Sequence, residues 1–169
     1  MDNKTDLRRR AKELRKTLPL PEISDKLADL VRYSESYISA KNVMLFYPTK
    51  YEIDLRKLLT DDKNFYLPRV NGKELEVCPY KLGDKLEKSE FHILEPTSKA
   101  VDKNILDLVI VPALMVDDEG FRLGYGGGFY DRFLKDLKVK TICTIPKELR
   151  TQRLPHENFD ISIDEIISS

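Results

Sequence analysis

Apolar residues near the N-terminus recur with the spacing of one helical face. Leu7, Ala11, Leu14 and Leu18 follow one another at intervals of four, three and four residues. In an α-helix such intervals bring side chains onto one stripe, with polar residues around the remainder. The pattern predicts an amphipathic helix over Lys4–Leu18, which the prolines that follow should end.

The rest of the chain alternates between strand-like apolar runs and segments with helical spacing. β-branched and aromatic residues dominate the strand-like runs, and turn residues bound them. In chain order we predict a helix over Glu22–Tyr37, a strand over Val43–Tyr47, a short helix over Leu55–Leu59, strands over Phe65–Leu67, Leu75–Tyr80 and Leu106–Val111, a helix over Phe129–Leu137, and strands over Thr141–Ile145 and Ile161–Ile167.

Two further segments qualify this pattern. Asn71-Gly72 is a turn signal, so the strand over Leu75–Tyr80 is expected to be antiparallel or close to an edge of the sheet. Lys81–Asn104 is polar, lacks a regular apolar period and contains Gly83 and Pro96. We expect it to be a long loop with short structured pieces.

The alternation of strands and helices predicts an α/β fold. We expect a single three-layer domain over residues 1–169, with a mostly parallel central sheet and helices on both faces. The near-continuous apolar run of Leu106–Val111 is typical of a central strand that is covered on both sides. Ligands of such sheets gather beyond the carboxyl ends of the strands, where we expect the Tyr47–Glu52 and Gly124–Gly128 loops.

Composition narrows the class of protein. The 169 residues are 41% hydrophobic and 34% charged, which is typical of a soluble globular domain. The formal net charge is zero, so we expect no nucleic-acid partner. No apolar run reaches the length of a membrane span, and the N-terminus lacks the apolar core of a signal peptide. We therefore expect a cytoplasmic monomer with no membrane partner.

The cysteines and histidines form no metal or redox pattern. Cys78 and Cys143 lie far apart in apolar runs, so we predict two buried free thiols. His92 and His156 have no cysteine or acidic residues around them at metal-binding spacing, so we expect neither a zinc site nor histidine catalysis.

The most concentrated feature of the sequence is a glycine run. Four of the seven glycines fall within positions 124–128, after an apolar run and before the predicted Phe129–Leu137 helix. Glycine allows positive φ and close approach of a ligand, and the first amides of a helix point outward at an anion. The arrangement indicates phosphate binding, although a tight connection would explain the same glycines. The Gly-Lys-Ser/Thr ending of a P-loop is absent.

Charged residues elsewhere each have two interpretations. Asp131 is either a carboxylate favoured by the start of a helix or a Mg²⁺ ligand beside a polyphosphate. Lys4 and Arg8, with Arg15 on nearly the same helical face, are either a solvated surface or cations that reach a phosphate tail. Glu52 either caps the following helix or binds a ligand ring with adjacent N–H donors.

Six blocks of sequence together resemble a known family. They are Lys4-Thr5-Asp6-Leu7-Arg8, Tyr47–Asp54, Val111–Leu114, Asp117–Gly120, Arg122–Asp131 and Leu154–Asp160. In composition and order they closely resemble the 5-formyltetrahydrofolate cyclo-ligases, and they span almost the whole chain. The block that contains the glycines is the most specific, whereas the others gain weight from their order.

The resemblance implies an ATP- and Mg²⁺-dependent enzyme. Such an enzyme converts 5-formyltetrahydrofolate to 5,10-methenyltetrahydrofolate and releases ADP and phosphate. The formyl oxygen would accept the γ-phosphoryl group of ATP, and N10 of the folate would then close the ring. No covalent nucleophile on the protein is implied. The alternative is a non-catalytic nucleotide- or folate-binding module.

Carried over by position, the resemblance also implies roles for individual residues. ATP would be bound by Lys4, Arg8, Arg122, Leu123, Gly124, Tyr125, Gly126, Gly127, Gly128, Phe129 and Tyr130. The folate would be contacted by Tyr47, Glu52, Tyr125, Gly126, Gly127, Gly128 and Phe129. Asp131 and Asp160 would hold Mg²⁺. Tyr125 and Gly127 stand where other members of the family carry different residues.

Overall fold

A six-stranded sheet forms the centre of the structure, a computed structural model that describes residues 3–169. Met1 and Asp2, which open the predicted domain, lie outside the described residues. The helices are α1 Lys4–Arg15, α2 Leu20–Val31, α3 Glu35–Ser39 and α4 Phe129–Leu134, with 3₁₀ turns at Arg56–Thr60, Lys103–Ile105 and Lys147–Leu149. The strands are β1 Asn42–Met44, β2 Asn64–Asn71, β3 Glu74–Pro79, β4 Leu86–Lys88, β5 Leu94–Pro96, β6 Leu108–Ile110, β7 Met115–Asp117, β8 Arg122–Leu123, β9 Lys140–Ile145, β10 Arg150–Thr151 and β11 Glu165–Ser168.

The central sheet has the strand order β11-β9-β6-β1-β2-β3. Every neighbouring pair is parallel except β2 and β3, which form an antiparallel hairpin at one edge. Gly72, with a φ of +64°, turns the chain between these two strands. The expectations of a mostly parallel sheet and of a strand near its edge over Leu75–Tyr80 are therefore confirmed.

Successive residues of the inner strands face two separate apolar cores, because side chains alternate across a sheet. The first core joins Leu27, Ala28 and Val31 of α2, Tyr37 of α3 and Leu58 to Val43, Leu45, Leu108, Ile110 and Ile142 of the sheet region. The second core joins Ala11 of α1 and Phe133 and Leu134 of α4 to Met44, Val109 and Cys143. Helices thus pack on both faces, as predicted.

A small second sheet of β10, β7 and β8 lies on the α1 side and leads into the glycine loop. The buried carboxylate of Asp117 organises its turn by accepting from the amides of Glu119 (3.0 Å) and Phe121 (2.9 Å). Its second oxygen accepts from the amide of Leu154 at 2.9 Å. One buried carboxylate therefore ties the C-terminal segment to the strand that enters the glycine loop.

The helices differ from the predicted ones at their ends. α1 ends at Arg15, three residues earlier than predicted. α2 begins at Leu20 and has Pro21 in its first turn. Proline is tolerated there because the first amides of a helix have no hydrogen-bond partner within the helix. The single helix expected over Glu22–Tyr37 is wrong, because the chain leaves helical geometry before Ser34 and starts again as α3. α4 ends at Leu134 instead of Leu137, ahead of a residue at positive φ, Asp136.

The ends of two strands also differ from the predicted ones, whereas the polar middle segment agrees with its prediction. β1 stops at Met44, although the amide of Leu45 still donates to the carbonyl of Tyr66 at 2.9 Å. The last strand begins at Glu165, four residues later than expected. The segment expected to be a long loop with short structured pieces contains the β4–β5 hairpin and one 3₁₀ turn.

Two further expectations concern burial and membranes. Cys78 and Cys143 are free and buried, as predicted, and burial raises the pKa of the Cys143 thiol to about 12. Among residues 3–169, no helix is both long enough and apolar enough to cross a bilayer.

Candidate active site

A cavity of about 750 Å³ opens where the glycine loop, α1 and the β4–β5 hairpin meet. Phe46, Tyr47 and Pro112, which follow the carboxyl ends of β1 and β6, contribute to its wall. The position agrees with the rule that ligands of parallel sheets collect beyond those ends. All the predicted site residues line it: Lys4, Arg8, Tyr47, Glu52, Arg122, Leu123, Gly124, Tyr125, Gly126, Gly127, Gly128, Phe129, Tyr130, Asp131 and Asp160.

The glycine loop needs its glycines at two positions. Gly126 has a φ of +104° and Gly128, which directly precedes α4, has a φ of +70°. Residues with a Cβ rarely adopt these angles. The carbonyl of Gly124 accepts from Nε of Arg8 at 2.9 Å, so the loop is attached to α1 at its first glycine.

Three cations approach the cavity from different elements. Nζ of Lys4 lies 3.1 Å from a carboxylate oxygen of Asp160, and Arg8 holds the glycine loop as described. Arg122 donates from Nη1 to the carbonyl of Pro112 at 2.8 Å, and its guanidinium lies 5.3 Å from the ring centre of Tyr130. Its Nε is buried and has no hydrogen-bond partner among residues 3–169. Such a group is satisfied when a ligand supplies an acceptor.

Arg15 has a role that neither sequence interpretation included. Its side chain is 2% exposed and donates to the backbone carbonyls of Tyr51 (3.1 Å), Leu114 (3.3 Å) and Ala113. Burial lowers its pKa, while the nearby Tyr125 counteracts part of that effect. Arg15 therefore joins α1 to two loops from inside the protein and is not part of a solvated face.

The two predicted metal ligands lie next to each other. Oδ1 of Asp131 accepts from the amide of Ile161, the residue after Asp160, at 3.1 Å. Oδ2 of Asp160 accepts from Lys4 and, at 2.8 Å, from the amide of Glu157. Among residues 3–169 no three acidic, histidine or cysteine side chains are grouped as a metal cage. Mg²⁺ is commonly bound by one or two protein carboxylates, while phosphate oxygens and water complete its coordination shell.

Glu52 is held by its own loop and does not cap the following helix. One carboxylate oxygen accepts from the amide and the hydroxyl of Thr49, at 2.9 and 2.8 Å. Asp54 instead bonds the amide and guanidinium of Arg56, at 3.0 and 2.9 Å, and Arg56 donates to the hydroxyl of Tyr47 at 3.0 Å. Glu52 is thereby fixed at the cavity wall.

The phenol of Tyr130 stays protonated at neutral pH. Burial raises the pKa of Tyr130, and the Glu52 carboxylate raises it further, whereas Arg122 lowers it in part. A protonated phenol beside a carboxylate and a guanidinium can both donate and accept hydrogen bonds.

An apolar wall that the sequence analysis missed closes the other side of the cavity. Phe91, Ile93 and Leu94 of the β4–β5 hairpin line it, and the Phe91 ring meets the ring of Phe129 edge to face with centroids 6.2 Å apart. Phe159 also lines the cavity and is 68% exposed. Three apolar residues close together, Phe91, Ile93 and Leu94, inside an otherwise polar segment were the signal that could have revealed this wall.

The chain is similar to known proteins over most of its length. The 5-formyltetrahydrofolate cyclo-ligase family matches residues 1–169. The 5-formyltetrahydrofolate cyclo-ligase of Haemophilus influenzae is 30% identical over 141 residues, which are 76% of this chain and 75% of that protein. The protein named 5-formyltetrahydrofolate cyclo-ligase, mitochondrial, of Arabidopsis thaliana is 31% identical over 166 residues, with 79% of this chain and 57% of that protein covered.

A solved structure extends the likeness to the fold. The NMR structure of Aquifex aeolicus 5,10-methenyltetrahydrofolate synthetase has a TM-score of 0.84 and 30% sequence identity, and the match covers 98% of this chain and 89% of that one. The resemblance of the sequence blocks is thus confirmed by independent matches of sequence and of structure. From these matches it follows that the chain belongs to the 5-formyltetrahydrofolate cyclo-ligase family.

Proposed function

We propose that the protein converts 5-formyltetrahydrofolate to 5,10-methenyltetrahydrofolate at the expense of ATP, with release of ADP and phosphate. The observation that carries this proposal is one cavity with two kinds of wall. One wall carries three cations and two carboxylates, which are Lys4, Arg8, Arg122, Asp131 and Asp160. The other wall carries aromatic side chains, which are Tyr47, Phe91, Tyr125 and Phe129. Two different substrates, one rich in phosphate and one built from flat rings, therefore have matching surfaces in the same space.

The phosphate side is assigned to the cations and the glycine loop. Lys4, Arg8 and Arg122 offset the negative charge of the ATP phosphates, and the backbone of Gly124–Gly128 allows them a close approach. Residues Leu123–Tyr130 complete the proposed nucleotide wall. In this proposal the orphaned Nε of Arg122 gains an acceptor when the nucleotide binds.

Asp131 and Asp160 fit a shared magnesium ion. Each carboxylate uses one oxygen in the hydrogen bonds described, and each has a second oxygen. When bound, Mg²⁺ neutralises charge on the phosphates of the nucleotide. The side chain of Lys4 pairs with Asp160 at 3.1 Å and holds that carboxylate at the cavity wall.

The folate side is assigned to the opposite wall. Glu52, fixed by Thr49, accepts from the adjacent N–H donors of the pterin ring. Tyr47 and Tyr125, with Gly126, Gly127, Gly128 and Phe129, contact the same substrate, and Phe91 adds an aromatic edge. Flat rings stack well against such aromatic side chains.

The reaction needs activation of a poor leaving group. The formyl oxygen attacks the γ-phosphorus of ATP, the bond to the ADP oxygen breaks, and an N5-iminium phosphate forms. N10 then attacks the formyl carbon, the C–O bond breaks with loss of phosphate, and the N10 proton leaves with it. The protein contributes position and charge neutralisation, which dominate phosphoryl transfer.

No covalent enzyme intermediate enters this scheme. Within residues 3–169, neither a cysteine nor a serine nor a histidine lines the cavity. Both thiols are buried in the core, and burial raises the pKa of each. Thiolates are the reactive form of cysteine, so these thiols are inert at neutral pH.

A direct assay tests the proposal. Purified protein with Mg²⁺, ATP and 5-formyltetrahydrofolate should produce a near-ultraviolet absorbance rise from the methenyl product, together with one ADP per product. Omission of ATP should remove the rise. Binding of ATP in calorimetry without any folate-dependent turnover would instead favour a non-catalytic nucleotide- or folate-binding module.

We also propose a cytoplasmic monomer that binds these small molecules without nucleic-acid or membrane partners. The zero net charge supports the absence of a nucleic-acid partner. Size-exclusion chromatography with light scattering measures the mass against the 19.7 kDa chain. Cell fractionation measures the location.

A further inference from the structure

Two aromatic rings stack on each other beside the segment that carries Asp160. The rings of Phe121 and His156 are nearly parallel, at an angle of 9°, and their centroids lie 3.7 Å apart. Phe121 directly precedes β8, whose residues Arg122 and Leu123 line the cavity. His156 lies four residues before Asp160. The stack therefore joins the strand that leads into the glycine loop to the segment with a proposed metal ligand.

The stretch of residues 155–160 has few bonds to other elements. Asp160 closes a turn within it, because its amide donates to the carbonyl of Glu157 at 3.1 Å and its carboxylate accepts from the amide of Glu157 at 2.8 Å. Among residues 3–169, the pair with Lys4 is the one hydrogen bond that joins this stretch to another element. The turn is thus held together internally, while little fixes where it lies.

Both flanks of this stretch attach to the turn between β7 and β8. Before it, the amide of Leu154 donates to the buried carboxylate of Asp117 at 2.9 Å. After it, the amide of Ile163 donates to the carbonyl of Gly120 at 2.8 Å. Phe121 belongs to the same β7–β8 turn, so the ring stack adds a third attachment between the other two.

The exposure of the rings limits what they contribute to the fold as a whole. His156 is exposed and Phe121 is half-buried, and neither belongs to the two apolar cores. Loss of the stack should therefore change global unfolding little. Stacked aromatic rings shift a local equilibrium by a factor of roughly two to ten beyond the burial of apolar area. Such a factor is large enough to change how often residues 155–160 are in place.

We propose that Phe121 and His156 form a positioning pair that holds Asp160 in place as a metal ligand. This proposal rests on the proposed function, because it takes Asp131 and Asp160 as the carboxylates that bind Mg²⁺. A turn that is already in place does not have to be ordered when the metal arrives, which raises affinity. Residues that orient metal ligands without contacting the metal commonly change its affinity by about tenfold or more when they are replaced. Neither ring lines the cavity, so the pair acts through Asp160 and not on the substrates.

Manganese binding tests the pair without turnover. In the presence of a non-hydrolysable ATP analogue, an EPR titration of His156→Ala with Mn²⁺ should give a Kd about three- to tenfold above the wild-type value. His156→Phe keeps a flat ring and should restore the wild-type Kd. Tyr33→Ala removes a ring that is 82% exposed and outside the cavity lining, and should leave the Kd unchanged. A wild-type Kd in His156→Ala, equal losses in His156→Ala and His156→Phe, or no Mn²⁺ binding by the wild type would overturn the proposal.

Amide hydrogen exchange tests the same effect in the free protein. In His156→Ala the amide of Ile161, which donates to Asp131, should exchange about three- to tenfold faster. The amide of Leu45, which donates within the central sheet, should not change. Phe121→Leu removes the stack from its other side, keeps an apolar side chain and should give the same pattern. Unchanged exchange at Ile161 in either folded variant would contradict the role of the stack.

The positioning pair and the proposed activity can fail separately. With turnover, His156→Ala should raise the Mg²⁺ concentration that gives half the maximal rate and leave kcat at saturating Mg²⁺ nearly unchanged. Turnover with the same Mg²⁺ dependence in the wild type and in His156→Ala would leave the activity standing and overturn the pair. Absence of turnover in the wild type, with Mn²⁺ binding that weakens in His156→Ala and recovers in His156→Phe, would remove the proposed activity and support the pair.

Discussion

The two faces of the central sheet are built from different chemistry. The face under α2 has a core centred on aliphatic side chains such as Leu27, Val43 and Ile110, all fully buried. The face under α1 includes Cys143 in its core, and the buried Arg15 and Asp117 lie on this side. The two buried guanidinium nitrogens that lack a hydrogen-bond partner among residues 3–169, Nε of Arg15 and Nε of Arg122, belong to this side. Both faces thus have an apolar core, and the buried charges Arg15 and Asp117 lie on the face under α1.

The largest expected effect comes from the carboxylate at the start of α4. Asp131→Asn keeps the oxygen that accepts from the Ile161 amide but removes the charge that a Mg²⁺ ligand needs. We expect kcat/KM with Mg²⁺-ATP to fall by about 10²-fold or more, with the melting temperature nearly unchanged. Asp62→Asn, at an exposed carboxylate far from the cavity lining, is the matched control. Full activity of Asp131→Asn would remove Asp131 from the metal site.

The opposite face should respond in stability and not in chemistry. Leu27→Ala deletes a fully buried side chain of α2 and should lower the free energy of unfolding by about 2–5 kcal/mol. Turnover per folded molecule should not change. Leu30→Ala, on the same helix at 36% exposure, should cost clearly less. Denaturant unfolding measures the stability, and kcat at a low temperature measures the turnover. A large loss of kcat in folded Leu27→Ala would contradict the expectation that this face affects stability alone.

A smaller effect should separate backbone strain from substrate contact. Gly126→Ala forces a Cβ onto a φ of +104°, which we expect to cost about 1–2 kcal/mol and to raise the KM for ATP. Gly72→Ala, at a φ of +64° in the β2–β3 turn with no atom within 4 Å of the new Cβ, should cost stability alone. Equal KM changes in both variants would mean that the glycine loop acts only through stability.

A further prediction is a pH dependence of stability from Cys143. Its thiol ionises near pH 9 when unfolded, while burial raises the pKa in the folded protein to about 12. Between these values the unfolded chain loses a proton that the folded protein keeps, so the free energy of unfolding falls as pH rises. The contribution is up to about 1.4 kcal/mol per pH unit. Urea melts from pH 8.5 to 10.5 should show a shallower decline for Cys143→Ala, and parallel curves would contradict the assignment.

Periodicity and local motifs predict much of this molecule. Short-range patterns encode the apolar stripe of α1, the parallel strands and the glycine loop between a strand and a helix. The sequence therefore predicts the central sheet and the loop of Gly126 correctly. The pairing of Asp160 with Asp131 was predicted from the family resemblance and not from the spacing of residues. Periodicity also set the wrong limits for α2 and α3, since their boundary lies at a break that the apolar pattern does not mark.

What the sequence analysis missed depends on contacts between distant segments. The β4–β5 hairpin packs through Glu95, which accepts from the amide of Val70 at 2.8 Å, and through Arg69, which donates to the carbonyl of Pro96 at 3.2 Å. Arg15 is buried because carbonyls from positions 51, 113 and 114 converge on it. No local period encodes such convergence, so the burial of Arg15 and the position of the β4–β5 hairpin follow only from the tertiary structure.

In the function that we propose, the γ-phosphoryl group of ATP is transferred to the formyl oxygen in the cavity beside the glycine loop. The most direct measurement uses 5-formyltetrahydrofolate labelled with ¹⁸O in the formyl group, incubated with the protein, Mg²⁺ and ATP. The label should appear in the inorganic phosphate, with one ¹⁸O for each methenyl product formed. Unlabelled phosphate alongside product would contradict it, because the formyl oxygen would then have left without being phosphorylated.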